Sequence, residues 1–179
     1  GTGVIMTESG YIITNAHVIS GGKSCWVALD TGVTYDARLV GYDEDEDLAV
    51  LRAIADNPLP AAEFGNSDLL TVGDPVYAIG NPLGLGLAIS SGIIGSTAHE
   101  LDRYALPCIV NSADISRGSS GGALMNAHGQ VIGVTSGAYT YGNNMYLAVP
   151  VDPVMAADLT VSGWTLKEVK AIEAAKDKD

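Results

Sequence analysis

Short strand-like segments, separated by turn signals about every dozen residues, run through most of this sequence and limit the folds it can adopt. The segments are rich in Val, Ile and Tyr, and the 22 glycines supply many of the turns between them. Helical patterns between the strands, which a doubly wound α/β fold requires, are absent. The sequence therefore predicts an all-β fold, compatible with two β-barrels in tandem.

The strand-like segments fall into two halves. Residues 56–74, "DNPLPAAEFGNSDLLTVGD", are rich in turn-forming residues and mark the boundary between the halves. We expect an N-terminal β-barrel half over residues 1–70, a C-terminal β-barrel half over 71–158, and a helical tail over 159–179. The tail is predicted to be helical because apolar residues recur at a helical spacing beside charged ones in "TLKEVKAIEAAKDK".

The charge balance argues against nucleic-acid binding. Nine basic residues stand against 21 acidic ones, and the resulting net charge of −12 would repel a phosphate backbone. A hydrophobic content of 47% excludes a disordered chain. No apolar run reaches about 18 residues, so no membrane-spanning segment is predicted, and no signal peptide is recognised. The chain begins abruptly in a strand-like segment, and we expect it to be an excised domain.

The two cysteines, Cys25 and Cys108, are too few for a disulfide framework. Both lie in apolar, strand-like runs, where a free cysteine behaves as a small hydrophobic residue. We therefore expect two buried free thiols.

Among the three histidines, His17 has the position most suggestive of a catalytic base. His99 and His128 lie among polar turn residues and are interpreted as surface histidines. His17 instead follows the apolar segment "YIIT", where the chain leaves a strand and a side chain commonly faces a cleft. On this pattern alone, a core histidine is an equal alternative.

An acidic run, "DEDEDLAVL", contains the candidate partner for such a base. Charge runs usually form a solvated face, and we interpret Asp43 and Asp45 that way. A calcium loop is the alternative, but the spacing of an EF-hand, with its interior Gly and final Glu, is missing. Asp47 directly precedes the apolar run "LAVL", so it is the acid expected to be partly buried and to need a partner such as a histidine N–H.

The segment "RGSSGGAL" contains the candidate nucleophile. It satisfies the G-x-S-x-G pattern of the α/β-hydrolase elbow, but that fold orders its triad as Ser, acid, His, whereas both candidate partners here precede the serine. The order His, Asp, Ser is that of chymotrypsin-like double barrels. Gly118 lies two residues before Ser120, and Gly121 and Gly122 follow it, whereas Ser119 has no glycine two residues before it. Ser120 is therefore the predicted nucleophile.

Taken together, these segments resemble the HtrA/DegP family of trypsin-like serine proteases along nearly all of residues 1–155. The resemblance rests on the joint order and spacing of seven stretches, which are "GTGVI", "GYIITNAHVI", "DLAVL", "FGNSDLLTVGDPVYAIGNPLG", "SSGIIG", "RGSSGGALMNAHGQVIGV" and "YLAVPV".

The resemblance implies two perpendicular six-stranded β-barrels with the active site at their junction. His17 would act as the base, Asp47 as the group that orients it, and Ser120 as the nucleophile, with the N–H groups of Gly118, Ser119 and Ser120 forming the oxyanion hole. Neither a metal nor another cofactor is implied. The implied substrates are unfolded or misfolded polypeptides in cell-envelope compartments, and the implied assembly is a homo-oligomer, a trimer in the family.

Three features depart from the family pattern. The residue before the nucleophile is usually Asn or Asp, and here it is Ser119. PDZ domains usually follow, whereas this chain ends after the predicted helix. The family also carries an upstream segment with the first barrel strand and trimer contacts. We therefore expect a truncated N-terminal barrel, weak activity, and either self-association or a covered sheet edge, for which the tail helix is the candidate cover.

Asp114 is a further departure, because it lies six residues before Ser120, where trypsin-like enzymes carry the aspartate that binds Lys or Arg. HtrA relatives usually have a small residue there. We predict a substrate pocket formed by Asp114 and Ile115, with Gly137 on the opposite wall, and a preference shifted towards basic side chains. The other predicted substrate-binding residues, Thr135 and Ser136, precede Gly137. A turn aspartate that faces solvent is the alternative for Asp114.

Two functions from different classes are compatible with the sequence. The first is a serine endopeptidase that works through an acyl-enzyme, and the second is a catalytically silent peptide-binding module on the same fold. The complete His, Asp and Ser set favours the enzyme, because a silent module has no need of all three. An esterase or other acyl transferase is a third, less favoured interpretation.

Overall fold

The structure, a computed structural model, describes residues 1–104, 106–139 and 142–152. The first half contains β1 (Val4–Ile5), β2 (Tyr11–Thr14), the short helix α1 (Ala16–Ile19), β3 (Cys25–Ala28), β4 (Thr34–Asp43) and β5 (Leu48–Ala53). These strands form one antiparallel sheet in the order β1-β2-β5-β4-β3. The sheet is open, in agreement with the incomplete N-terminal barrel expected from the sequence.

The second half is a closed six-stranded barrel. Its strands are β6 (Pro75–Gly80), β7 (Ala88–His99), β8 (Cys108–Asn111), β9 (Ala123–Met125), β10 (Val131–Ala138) and β11 (Tyr146–Pro150). They close in the order β10-β11-β8-β7-β6-β9. The predicted all-β, chymotrypsin-like architecture is confirmed.

Antiparallel hairpins connect strand-like segments at the turn signals between them. Strands β1 and β2 pair around "TESG", where Gly10 adopts a φ of 99°, a backbone conformation that favours glycine. Strands β9 and β10 pair around "NAHG", where Gly129 has a φ of 74°. Strands β3 and β4 pair around "DTG".

Strand β5 joins the two halves because both of its faces are buried. Leu48 and Val50 pack in a cluster with residues of the second barrel, such as Val134 and Val149. The alternating residues, among them Ala49 and Leu51, pack in the separate core of the first sheet. Burial of both faces of β5 requires an apolar run without polar alternation. The residue that precedes β5 is thereby held at the junction of the two halves.

Helical structure differs in part from the prediction, which placed it in the tail alone. A single helical turn, α1, follows β2, and two 3-10 turns occur at Ser67–Leu69 and Pro82–Gly84. A four-residue helix is too short to produce an amphipathic period, so a periodic pattern cannot predict it. The predicted tail helix lies outside the described residues.

Candidate active site

His17 and Asp47 are brought together at the junction of the two halves. His17 lies on α1, directly after β2, and Asp47 ends the loop before β5. The His17 Nδ1 atom lies 2.8 Å from Asp47 Oδ2 and 2.9 Å from Oδ1, and the His17 backbone N–H donates to Oδ1 at 3.0 Å. The imidazole is half exposed, whereas the carboxylate side chain is only 13% exposed. Because a carboxylate only accepts, Nδ1 carries the proton and Nε2 keeps a free lone pair.

The loop conformation around Asp47 fixes its carboxylate. Asp47 has a φ of 52°, in the left-handed region, which Asp adopts more readily than most residues. Its N–H donates to Glu44 O at 3.3 Å, and its carbonyl oxygen accepts from Asn15 Nδ2 at 3.0 Å. Both ends of this residue are therefore held while its side chain faces His17.

The Asp47 carboxylate is surrounded by donors that stabilise its charge. Burial raises the pKa of Asp47, but hydrogen bonds from the His17 side chain, the His17 N–H and the Ser136 hydroxyl, together with the charge of His17, outweigh burial. The pKa therefore lies below its ordinary value. The group is held as an acceptor for the imidazole N–H at neutral pH.

A directed chain of hydrogen bonds reaches Asp47 from the second barrel. The Ser136 hydroxyl donates to Asp47 Oδ2 at 2.8 Å, so its remaining contact, at 2.7 Å, is accepted from Tyr104 Oη. Tyr104 Oη in turn accepts from Arg103 Nη2 at 2.9 Å. Sequence analysis missed Tyr104, because nothing local distinguishes a tyrosine in a polar loop from a surface residue.

Ser120 lies in a turn that glycines make possible. Gly118 and Gly121 adopt φ values of 98° and 90°, and a Cβ on Gly121 would meet Thr2 O and the Thr14 hydroxyl. The Ser120 hydroxyl donates to the Ser136 carbonyl oxygen at 2.9 Å. Within the described residues, no hydrogen bond joins Ser120 Oγ to His17. Ser136 therefore contacts the predicted nucleophile through its carbonyl and the predicted orienting acid through its hydroxyl.

The three predicted oxyanion donors are not equivalent. The Ser119 N–H donates to Ser116 O at 2.9 Å and closes the turn. The N–H groups of Gly118 and Ser120 make no hydrogen bond with any described part of the chain. Donors that lack a protein acceptor remain available to a substrate oxygen, which is one requirement of an oxyanion hole. The geometry thus favours Gly118 and Ser120 and gives Ser119 a structural part.

The predicted substrate-binding residues separate into two groups. Asp114 and Ile115 line a cavity of about 180 Å³ beside Ser119, whose other wall comes from β6, β7 and the loop between them. Thr135 and Ser136 are buried at 1% and 5% exposure and line no part of this cavity. The Thr135 hydroxyl donates to the Ser119 carbonyl, and the Ser136 hydroxyl donates to Asp47, so both side chains support the site from the protein interior.

The surroundings of Gly137 and Asp114 are compatible with the predicted pocket for basic side chains. A Cβ built on Gly137 would meet no heavy atom within 4 Å, so the space predicted there exists, although Gly137 does not line the cavity. Asp114 is exposed, and a hydrogen bond to its carboxylate raises the pKa of Tyr146. Tyr146 pairs with Ala138 across β10 and β11, and Ala138 follows Gly137 directly. Asp114 therefore lies near the end of β10 that carries Gly137.

Among the described residues, the remaining chemistry-bearing side chains form no second site. Cys25 and Cys108 are free thiols, of which Cys108 is buried as expected and Cys25 is only partly buried. Burial raises the pKa of Cys108 to about 11, which makes it a poor nucleophile. Nowhere in residues 1–104, 106–139 and 142–152 are three His, Cys, Asp or Glu side chains grouped to hold a metal ion. The helices in these ranges are all too short or too polar to span a membrane.

The lowered pKa of Asp47 leads to a testable pH dependence of stability. A carboxylate with a depressed folded-state pKa stabilises the fold above its unfolded pKa, and this stabilisation is lost as pH falls through the folded-state value. We expect Ser136→Ala to lower the free energy of unfolding more at pH 7 than at a pH low enough to protonate Asp47 in the folded protein, because the Ser136 hydroxyl donates to the charged form. Urea unfolding at both pH values measures the difference. Equal losses at both would contradict the role of Ser136.

The sequence is similar to those of known proteases. The trypsin-like peptidase domain family matches residues 1–134. The chain is 42% identical over 159 residues to a probable periplasmic serine endoprotease DegP-like protein of Halomonas elongata, covering 87% of this chain and 33% of that protein. It is 37% identical over 168 residues to the putative serine protease HhoA of Synechocystis sp., covering 90% and 43%.

A solved structure has the same fold. The HtrA-type protease AlgW with a decapeptide superposes with a TM-score of 0.80 at 37% identity, over 87% of this chain and 49% of that chain. The chain spans between a third and a half of the lengths of these relatives. It belongs to the trypsin-like peptidase domain family, and within it to the HtrA/DegP group of protease domains.

Proposed function

We propose that this protein is a serine endopeptidase that hydrolyses peptide bonds through an acyl-enzyme. The observation that carries the proposal is the His17–Asp47 hydrogen bond, which lies at the same junction as a serine turn with two unengaged N–H groups. The histidine, the aspartate and the serine turn come from separate parts of the sequence. Together they supply the base, the orienting acid and the nucleophile that acyl transfer by a serine requires.

The proposed reaction begins when the Ser120 hydroxyl leaves the Ser136 carbonyl and turns towards His17 Nε2. Hydrogen bonds between nucleophile and base are often long or absent without substrate and form in the substrate complex. His17 accepts the hydroxyl proton as Ser120 Oγ attacks the scissile carbonyl carbon. Asp47 holds the required tautomer and stabilises the imidazolium.

The negative charge that develops on the substrate oxygen is received by the Gly118 and Ser120 N–H groups. His17 returns the proton to the leaving amine, the C–N bond breaks, and Ser120 keeps the acyl group as an ester. Water, deprotonated by His17, then attacks the ester, the bond to Ser120 Oγ breaks, and His17 returns the proton to Ser120 as the acid leaves. Loss of one oxyanion donor costs roughly 3–4 kcal/mol of transition-state stabilisation in a serine protease.

The proposed substrates are polypeptides in an unfolded or misfolded state, and the proposed place of action is the cell envelope. The peptide named with the AlgW structure and the serine endoprotease names of the relatives support a polypeptide substrate. Relatives named as periplasmic support an action in the envelope.

Labelling and cleavage distinguish the proposed enzyme from its rivals. We expect a fluorophosphonate probe to label the protein at Ser120 and the protein to cleave casein. Absence of both would overturn the proposal in favour of a silent peptide-binding module. Labelling together with hydrolysis of esters but not of casein would favour an esterase.

A preference for basic side chains is part of the proposed specificity. Asp114 is exposed and lines the cavity beside Ser119, and its carboxylate can pair with a Lys or Arg side chain of the substrate. Ile115 in the same cavity keeps part of it apolar, so aliphatic side chains would also bind.

We expect Asp114→Ala to lower kcat/KM for an Arg peptide by roughly 10-fold or more, and to leave a matched Val peptide nearly unchanged. The reason is the loss of a charged hydrogen-bond partner for the guanidinium. Asp30→Ala, an exposed turn residue of the first sheet, is the control for the same change in net charge. If Arg cleavage is unaffected by losing Asp114, this residue is a solvent-facing turn aspartate.

A further inference from the structure

Thr2, which sequence analysis passed over, contacts the serine turn from the other end of the chain. Its hydroxyl donates to Gly118 O at 2.7 Å and accepts from the Asn81 N–H at 3.0 Å. Its backbone N–H donates to Ser120 O at 3.0 Å, and its carbonyl oxygen accepts from the Thr14 hydroxyl at 2.6 Å. One half-buried threonine thus makes four hydrogen bonds, two with the serine turn, one with Thr14 of the first sheet and one with Asn81 after β6.

These bonds complete the set of bound carbonyls in the serine turn. The Arg117 carbonyl accepts from the Leu83 N–H at 2.7 Å, and the Ser119 carbonyl accepts from the Thr135 hydroxyl at 2.9 Å. The two carbonyls that alternate with these, those of Gly118 and Ser120, are both bound by Thr2. Every carbonyl from 117 to 120 is therefore held.

The direction of each carbonyl determines the direction of the N–H in the same planar peptide group. The peptide that begins at Gly118 is held at its carbonyl by Thr2 and at its N–H by Ser116 O, and this peptide joins the two that carry the unengaged donors. Release of the Gly118 carbonyl removes one of the two hydrogen bonds on this peptide, and glycine has alternative conformations into which the φ of 98° at Gly118 can relax.

We propose that Thr2 is a positioning residue: by holding the peptide between Gly118 and Ser119, it keeps the two neighbouring peptides, which carry the Gly118 and Ser120 N–H groups, in the relative orientation required to receive the substrate oxyanion. The inference rests on the proposed function for its catalytic consequence. Its structural content, a clamp on the serine turn made by the Thr2 hydroxyl, is independent of catalysis.

The test compares Thr2→Val, which removes the hydroxyl at nearly the same size, with Thr2→Ser, which keeps it. We expect Thr2→Val to lower kcat by roughly 10- to 100-fold with little change in KM, because misplaced donors affect the transition state more than the bound substrate. The affinity of a peptide aldehyde, which forms a tetrahedral adduct, should fall by the same factor. Thr2→Ser should recover most of both.

Thr34→Val is the matched control, because Thr34 is exposed on β4, next to the edge strand β3 of the first sheet. It should behave as the unchanged protein does. A Thr2→Val variant with unchanged kcat, or one in which KM alone rises, would overturn the positioning role. So would failure of Thr2→Ser to recover activity.

Amide hydrogen exchange measures the clamp directly and separates it from the proposed function. In Thr2→Val, the Ser119 and Gly121 N–H groups, which are hydrogen-bonded in the turn, should exchange faster than in the unchanged protein and in Thr2→Ser. Unchanged exchange would refute the clamp even in a fully active enzyme. Faster exchange in a protein that no fluorophosphonate labels would support the clamp and refute the peptidase.

Discussion

Ser120→Ala is expected to abolish labelling by a fluorophosphonate and to lower kcat by roughly 10⁶-fold, as loss of the nucleophile does in a serine protease whose triad acts as a unit. The N–H of Ser120 is one of the two unengaged donors, whereas the N–H of Ser119 is bound within the turn. His17→Ala should cost about as much, because without a base the hydroxyl is a weak nucleophile. Active-site titration followed by single-turnover kinetics measures both losses.

Ser119→Ala is the matched control for the nucleophile, because it removes the neighbouring hydroxyl from the same turn. The structural contribution of Ser119 is made by its backbone, which donates to Ser116 O and accepts from the Thr135 hydroxyl. Alanine keeps both contacts, so this variant should retain at least part of the labelling. If Ser119→Ala abolished labelling and Ser120→Ala did not, the nucleophile would be Ser119.

Asp47→Asn should keep the fold and lower kcat by roughly 10⁴-fold, the cost of the equivalent change in the best-studied Ser-His-Asp triad. The Asp47 carboxylate accepts three hydrogen bonds, from the His17 backbone N–H, from His17 Nδ1 and from the Ser136 hydroxyl. An asparagine amide would place its own donors against these and favour the wrong imidazole tautomer. The kcat and the thermal unfolding midpoint of the variant are the measurements.

Two neighbouring aspartates serve as controls for this assignment. Asp43 and Asp45 are exposed in the same acidic run, and the Asp43 carboxylate accepts a local turn contact from the Glu46 N–H at 3.1 Å. Asp43→Asn and Asp45→Asn should change kcat little. A large loss in either variant, with Asp47→Asn still active, would show that another acid orients the base.

Much of the fold could be predicted from local patterns. Turn residues such as Gly10 and Gly129 adopt a conformation that other residues avoid, and the strands between turns have the period or the continuous apolar run of buried β-structure. His17 and Asp47 could be selected because each adjoins an apolar strand, where a polar side chain needs a partner. The helix α1 could not be predicted in the same way, because a single turn has no period.

The sequence by itself determined the strands and their turns, because these depend on neighbours along the chain, and it selected His17, Asp47 and Ser120 through their order in the chain and the family resemblance. Tertiary structure alone decided what holds those residues. Ser136 and Asp47 are 89 positions apart, and Thr2 and Gly118 are 116 apart, so no local period relates them. The folded chain also decides which N–H groups of residues 118–120 stay unengaged. Each of these donors is either bound by an acceptor within the turn or left available for a substrate, and only the folded chain brings the acceptors near.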